Sequence, residues 1–190
     1  VLTPLLTGEA LERIVVPTVR AMAHEGTPYS GVLYAGLMLT KNGVQLIEYN
    51  ARFGDPECQV LMLRLEEDLV ELLLACAEGK LATIRPPRLS PETALTVVMA
   101  AEGYPGTPKQ GGHISGLDAA ETAGAKVFHA GTALDGEALV ASGGRVLNVT
   151  ARGANVTEAQ QRAYAAVDCI DAPDLFCRRD IGWRALKRPV

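Results

Sequence analysis

An α+β fold in two consecutive units is what the sequence predicts, with residues 1–86 in the first and 87–190 in the second. Three observations predict it. The apolar stretch Gly31 to Leu39 is followed by Lys41-Asn42-Gly43 and then by Val44 to Asn50, a strong short-range signal for an antiparallel hairpin. Apolar residues at helical spacing flank that hairpin on both sides, from Leu11 to Ala23 and again from Leu69 to Cys76. Ile84-Arg85-Pro86-Pro87-Arg88 then breaks the periodicity, and β-rich stretches with one amphipathic helix lie beyond it, the pattern of a small C-terminal α/β domain.

In chain order, Val1 to Thr7 opens without an initiator Met and leads straight into a helix, so it reads as the tail of something longer. The helix carries Leu11, Ile14, Val15, Val19, Met22 and Ala23 on its apolar stripe. Thr7 is placed to cap it, Gly26 to end it and Pro17 to kink it. Thr27 to Ser30 is loop. Gly31 to Leu39 is almost continuously apolar, as a strand buried on both faces would be.

If Val44 to Asn50 is extended, side chains alternate, so Glu48 and Asn50 project one way while Ile47 and Tyr49 project the other. A carboxylate and an amide oxygen then point at one spot. Magnesium takes such hard oxygen ligands in nucleotide sites, where it keeps room for water and phosphate oxygens. A solvated strand-face glutamate is the plainer alternative. Asp55, just ahead of Pro56, is placed to cap the next helix, whose N-terminus would favour an anion nearby. Glu67 to Glu78 is a further helix, with acids at its start and Gly79 past its end.

In the second unit, Thr93 to Ala101 is β-branched and apolar, the pattern of a central strand. Gly103 to Gly112 is a glycine-rich loop with neither a Gly-Lys-Ser/Thr ending nor a Gly-x-Gly-x-x-Gly pattern, so it reads mostly as turn, with closure over a site as the alternative. Lys126 to Gly131 and Ala138 to Ser142 flank the turn signal Leu134-Asp135-Gly136, and Arg145 to Ala151 is a further strand. Asn155 and Glu158 have capping-box spacing ahead of Ala159, Ala163, Ala166, Val167 and Ile170, which predicts one amphipathic helix on the sheet. Arg178, Arg179 and Arg184, within Leu175 to Leu186, read as interdomain salt-bridge partners, with ligand contact as the alternative.

Composition narrows the function. With 190 residues and 48% hydrophobic content the chain can bury a core. A formal charge of -4 without a Lys/Arg run argues against nucleic-acid binding. No apolar run approaches the roughly 20 residues of a membrane span, and no signal-like segment opens the chain, so a cytoplasmic protein is expected. Cys58, Cys76, Cys169 and Cys177 form no Cys-x-x-Cys pair and are expected as free thiols of a reducing compartment. His24, His113 and His129 show no zinc spacing.

The string Glu-x-Asn-x-Arg-Phe-Gly-Asp-Pro-Glu (Glu48 to Glu57), preceded by Tyr29 to Leu37, closely resembles the phosphoribosylamine-glycine ligase (glycinamide ribonucleotide synthetase) family of purine biosynthesis. Val127 to Thr132, Gly143 to Thr150 and Arg178 to Leu186 extend the resemblance over nearly the whole chain, but only to the family's C-terminal part. The resemblance implies an ATP-grasp fold, with residues 1–86 as the end of the ATP-clasping lobe. It also implies ATP as cofactor, and the joining of glycine to 5-phosphoribosylamine through a glycyl phosphate.

Residue by residue, the family's metal ligands fall on Glu48 and Asn50, for magnesium or manganese, and the residue under the adenine on Ile47. Arg52, Gly54 and Asp55 fall in the loop facing glycine and the ribosylamine, with Arg52 and Asp55 as the catalytic pair. The family's N-terminal domain and the lobe with its phosphate-binding lysines and flap have no counterpart here. A missing N-terminal part is therefore the expected partner, and the chain alone is expected to be inactive. Two other readings stand beside this one. A biotin carboxylase-like ATP-grasp enzyme usually adds an acid on the partner strand, which Gly31 to Leu39 lacks. A non-catalytic module suits the length but not the motif.

Overall fold

A computed structural model describes residues 3–187. They fall into two compact units: the first runs to Gly54 and resumes over Glu67–Pro87, and the second takes Asp55–Glu66 and the chain from Arg88 on.

In the first unit, α1 (Pro4–Ala10), a π-helical turn (Leu11–Val15) and α2 (Val16–His24) follow one another without a break. The cap is Thr3 rather than Thr7: Thr3 Oγ1 accepts from the Leu6 N–H at 3.3 Å. Pro4 takes the first helical position, which leaves Thr3 as the last extended residue. Pro17 does not break the helix. Just before it the ladder widens, with the Val16 N–H donating to the Leu11 carbonyl, and this wider turn accommodates the ring and the missing donor.

Strands β1 (Tyr34–Thr40) and β2 (Gly43–Asn50) form the expected antiparallel ribbon, with Thr40 opposite Gly43 across Lys41-Asn42. Asn42 does not take positive φ; Gly43 does, at 91°, so the Asn-Gly signal is realised one residue later than a type I′ turn requires. The register slips between Gly36 and Leu37, where Gly36 faces Glu48 and Leu37 faces Leu46. Ile47 is thus left as the extra residue of a bulge. Burial of this ribbon on both faces is not what the structure has: Met38 is 53% exposed, Leu39 47% and Ile47 61%. Among the described residues the sheet has two strands, too few to cover either face. The Tyr49 hydroxyl ties the ribbon to the helix, donating to the Ile14 carbonyl at 3.0 Å and lying 2.8 Å from Thr18 Oγ1. Helix α4 (Leu69–Ala77) is capped by Asp68, which accepts from the Val70 N–H, and is ended by Gly79 at φ 68°.

The second unit is built on a four-stranded antiparallel sheet. Its strands are β3 (Thr93–Ala101), β4 (Ala125–His129), β7 (Arg145–Gly153) and β8 (Leu175–Cys177), in the order β4-β7-β3-β8. The arm predicted over Lys126 to Gly131 is β4 and joins this sheet, so the hairpin partner of β6 (Ala138–Ala141) is the next strand, β5 (Thr132–Asp135), in a separate ribbon. Helix α6 (Val156–Val167) packs on β3 and β7 through Ala159, Ala163 and Ala166, all fully buried against Val97, Val149 and Leu147. Alanines let the helix approach closely, and Gly153 completes the fit: a Cβ there would stand 2.5 Å from the Ala159 nitrogen. The cap half of the box is present, with Asn155 Oδ1 accepting from the Glu158 N–H, while Glu158 Oε2 reaches one residue past the cap and accepts from the Ala154 N–H.

The other sheet face carries the buried Thr96–Thr150 hydroxyl bond, and α3 (Glu57–Arg64) packs on β3 and β7. Helices α5 (Leu117–Thr122) and α7 (Trp183–Leu186) and strand β8 are too short to leave a periodic signal. Two of the three arginines expected in interdomain pairs bond within this unit instead: Arg178 with Asp180 at 2.8 and 2.9 Å, and Arg179 with Asp168 at 2.6 Å; Arg184 lies over the Trp183 ring. Tyr164 on α6 pins the same segment, donating to the Arg178 carbonyl at 2.7 Å and accepting from the Ile181 N–H at 3.0 Å.

Candidate functional site

Strand β2 delivers Glu48 and Asn50 to one spot, as alternation predicts. Asn50 Nδ2 donates to Glu48 Oε1 at 3.2 Å, so the carboxylate and the amide lie within hydrogen-bond reach of each other. Glu48 is exposed and Asn50 half-buried. The residue facing Glu48 across the ladder is Gly36, and a Cβ there would come within 3.1 Å of Glu48 Cγ. The absent side chain on β1 is what gives the glutamate its room. Among the described residues no group of three or more His, Cys, Asp and Glu side chains gathers as a metal site. Two hard-oxygen side chains are nevertheless what a magnesium ion needs from protein when phosphates and water complete its shell. The donor set therefore fits that ion.

Ile47, at the bulge, presents an exposed apolar side chain. Arg52 forms no ion pair with a neighbouring acid among the described residues; its Nη1 donates to the Phe53 carbonyl at 2.8 Å. Gly54 is buried and ends the first unit's opening segment.

Asp55 opens the second unit, and its role there differs from the expected cap. Pro56 occupies the cap position of α3, with no side-chain hydrogen bond to the helix, and the Asp55-Pro56 peptide is cis. The Asp55 carboxylate is taken instead by Arg145 of β7, whose Nη2 donates to Oδ2 at 2.6 Å and Nη1 to the Asp55 carbonyl at 3.4 Å. The carboxylate is thus met by a guanidinium instead of a helix N–H, both being charge-assisted partners.

Sequence reasoning missed Arg145 because it lies 90 residues from Asp55. The only signal was its place in Gly-Gly-Arg-Val-Leu-Asn-Val-Thr. Beside it, on the α3 face of the sheet, is a cavity of about 370 Å³ lined by Pro56, Val98, Tyr104, Arg145 and Phe176 among others. The glycine-rich loop supplies one wall through Tyr104, whose ring lies over Gly144: a Cβ at Gly144 would meet Tyr104 Cδ2 at 2.4 Å. The cysteines are all free thiols. Burial pushes the Cys177 thiol, at this cavity, above its ordinary pKa; Asp168 adds to the rise and Arg179 opposes it.

Comparison with known proteins adds two family matches and a set of relatives. Residues 1–58 match the phosphoribosylglycinamide synthetase ATP-grasp (A) domain, and residues 94–184 match the phosphoribosylglycinamide synthetase C domain. The chain is similar to the phosphoribosylamine-glycine ligase of Mesorhizobium japonicum, 60% identical over 189 residues, covering 97% of this chain and 44% of the relative. It is 58% identical to that of Caulobacter vibrioides, over 99% of this chain and 44% of the relative. The crystal structure of the Thermotoga maritima phosphoribosylamine-glycine ligase superposes with a TM-score of 0.83 at 33% identity, covering 95% of this chain and 44% of that one. The chain thus spans less than half the length of the relatives it matches. No helix among the described residues is long and apolar enough to cross a membrane.

Proposed function

Since the chain belongs to the phosphoribosylglycinamide synthetase family, matching its ATP-grasp domain and then its C domain, we propose that it is the C-terminal portion of a cytoplasmic ATP-dependent ligase. That ligase joins glycine to 5-phosphoribosylamine, giving glycinamide ribonucleotide, ADP and phosphate. The observation that carries the reading is the convergence of Glu48 and Asn50 at the end of β2, directly ahead of Arg52-Phe53-Gly54-Asp55-Pro56.

In this reading Glu48 and Asn50 hold the divalent cation of the nucleotide, magnesium or manganese. When bound, that ion neutralises charge on the phosphoryl oxygens during transfer. Ile47 packs under the adenine, for which its exposed position at a bulge is suited. Arg52 carries a fork able to grip the glycine carboxylate or its acyl phosphate bidentately, Gly54 keeps the loop close to the substrates, and Asp55 accepts hydrogen bonds from an amine. The N-terminal part of the same polypeptide supplies the groups that orient the nucleotide phosphates. The exposed apolar side chains of the ribbon are consistent with a surface that such a part covers.

The experiment is ADP release, dependent on both glycine and 5-phosphoribosylamine, from the full-length polypeptide and from residues 1–190 alone. Activity is expected in the first and none in the second, because positioning is most of phosphoryl-transfer catalysis. Glu48→Gln in the full-length enzyme keeps the shape and removes the charge, and should cost ~10²-fold in turnover. Turnover by the isolated chain overturns the requirement for the N-terminal part, and an unaltered turnover and magnesium dependence in Glu48→Gln overturns the cation assignment.

A further inference from the structure

We propose that Arg145 is a positioning residue for the ligase reaction, holding Asp55 in the one orientation from which its carboxylate meets the amine substrate. The inference rests on the reading of Asp55 as a substrate contact and adds to it the group that controls it.

Three observations carry it. First, one guanidinium grips residue 55 at two points, the carboxylate at 2.6 Å and the backbone carbonyl at 3.4 Å, so it fixes both the side chain and the chain direction at the turn. Only Oδ2 of the carboxylate is engaged among the described residues, which leaves Oδ1 free to accept from a ligand.

Second, the backbone from which Arg145 projects is unusually constrained. Arg145 sits where the β3–β7 register shifts, facing Ala100 while Leu147 faces Met99. Its carbonyl accepts from the Gly131 N–H at 2.9 Å, and the Gly144 carbonyl accepts from Ala101 at 2.8 Å. Gly131 and Gly143 touch backbone to backbone: a Cβ on Gly131 would stand 2.7 Å from Gly143 Cα and 2.9 Å from the Arg145 carbonyl. Tyr104 closes over Gly144 from the other side. A corner packed from glycines and one ring sets the origin of the arginine side chain.

Third, the pair is poorly placed to serve stability. The two side chains are 38% and 47% exposed, and pairs of that kind contribute little to folding. Geometry is the property such a contact supplies best. The ion pair also joins the stretch matching the ATP-grasp domain to the stretch matching the C domain, so the C domain has a direct hold on a residue of the motif.

The test is a double-mutant cycle in the full-length ligase, with Asp55→Asn, Arg145→Gln and the two combined, reading kcat/KM for 5-phosphoribosylamine and for glycine, KM for ATP, and Tm. Arg145→Gln should lower kcat/KM for 5-phosphoribosylamine, the amine substrate, by about ten- to a hundredfold. KM for ATP and Tm should stay near wild type, and little further loss should appear when Asp55 is already Asn. Arg145→Lys keeps the charge and loses the fork, so it should fall between wild type and Arg145→Gln; it is the variant to read if Arg145→Gln lowers Tm. Equal losses from the arginine substitution in both Asp55 backgrounds overturn the proposal, as does an unimpaired Arg145→Gln beside an impaired Asp55→Asn. If Asp55→Asn is itself unimpaired, the reading of Asp55 as a substrate contact fails and takes the proposal with it.

Discussion

Replacing Gly36 by alanine should damage the proposed cation site without touching any residue in it. The added Cβ would lie 3.1 Å from Glu48 Cγ, 3.5 Å from the Glu48 carbonyl and 3.7 Å from Tyr34 Cε1. Carbon pairs are comfortable at about 3.5–4.0 Å, so the glutamate must yield by roughly half an ångström. Gly36 and Glu48 face each other directly in the ladder, and the backbone there is held by its cross-strand bonds, so the movement falls on the Glu48 side chain.

That movement strains the 3.2 Å bond from Asn50 and separates the two oxygen donors. If the proposed function holds, a displacement of this size should cost about tenfold in turnover of the full-length polypeptide and raise the magnesium concentration needed for half-maximal rate. Folding should survive, because exchanging a strand glycine for alanine recovers about 0.5–1 kcal/mol of backbone entropy against the crowding. The assay is ADP release against magnesium at saturating ATP, glycine and 5-phosphoribosylamine, beside a thermal melt. Gly8→Ala is the control, since nothing lies within 4 Å of a Cβ at Gly8. Wild-type turnover and an unmoved magnesium midpoint in Gly36→Ala would refute the argument that Glu48 works in a space cleared for it.

Two further outcomes are expected of the 190-residue chain itself. Tyr164→Phe removes one donor to the Arg178 carbonyl and one acceptor for the Ile181 N–H, and should destabilise the second unit by about 1–2 kcal/mol, read as a lower melting temperature with earlier proteolysis after Arg178. An unshifted melt would mean that the last segment is held by other contacts. Burial raises the thiol pKa of Cys58 and Cys177, and Asp55 adds to the rise at Cys58. Below those raised values the reactive thiolate is scarcer, so alkylation at pH 8 should label exposed Cys169 first, and the two raised thiols should catch up as the pH climbs. Peptide mass spectrometry gives the order, and equal early labelling of Cys177 and Cys169 would contradict it.

Much of this chain was legible without coordinates, for a local reason. The period-2 alternation of Val44 to Asn50 put Glu48 and Asn50 on one face, the Lys41-Asn42-Gly43 signal paired that strand with its neighbour, and Asn155 with Glu158 marked the start of α6. Each of these rests on residues a few positions apart, where the backbone repeat alone sets side-chain direction. The motif from Glu48 to Glu57 carried the family for the same reason.

Other features depended on which distant segments met. The apolar run Gly31 to Leu39 had the composition of a doubly buried strand, yet its burial depends on what lies over it, and sequence pattern cannot report that. Asp55 had the spacing of a helix cap, but its carboxylate goes to a guanidinium 90 residues away, a partner that no local spacing reports. Arg179 reaches Asp168, at the end of α6, because Tyr164 holds its segment against that helix, whereas Arg178 finds Asp180 two residues along. Local periodicity determined the elements and brought the oxygen donors together; only the tertiary fold decided the partner of Asp55, because a charge pairs with whichever opposite charge the folded chain brings nearest.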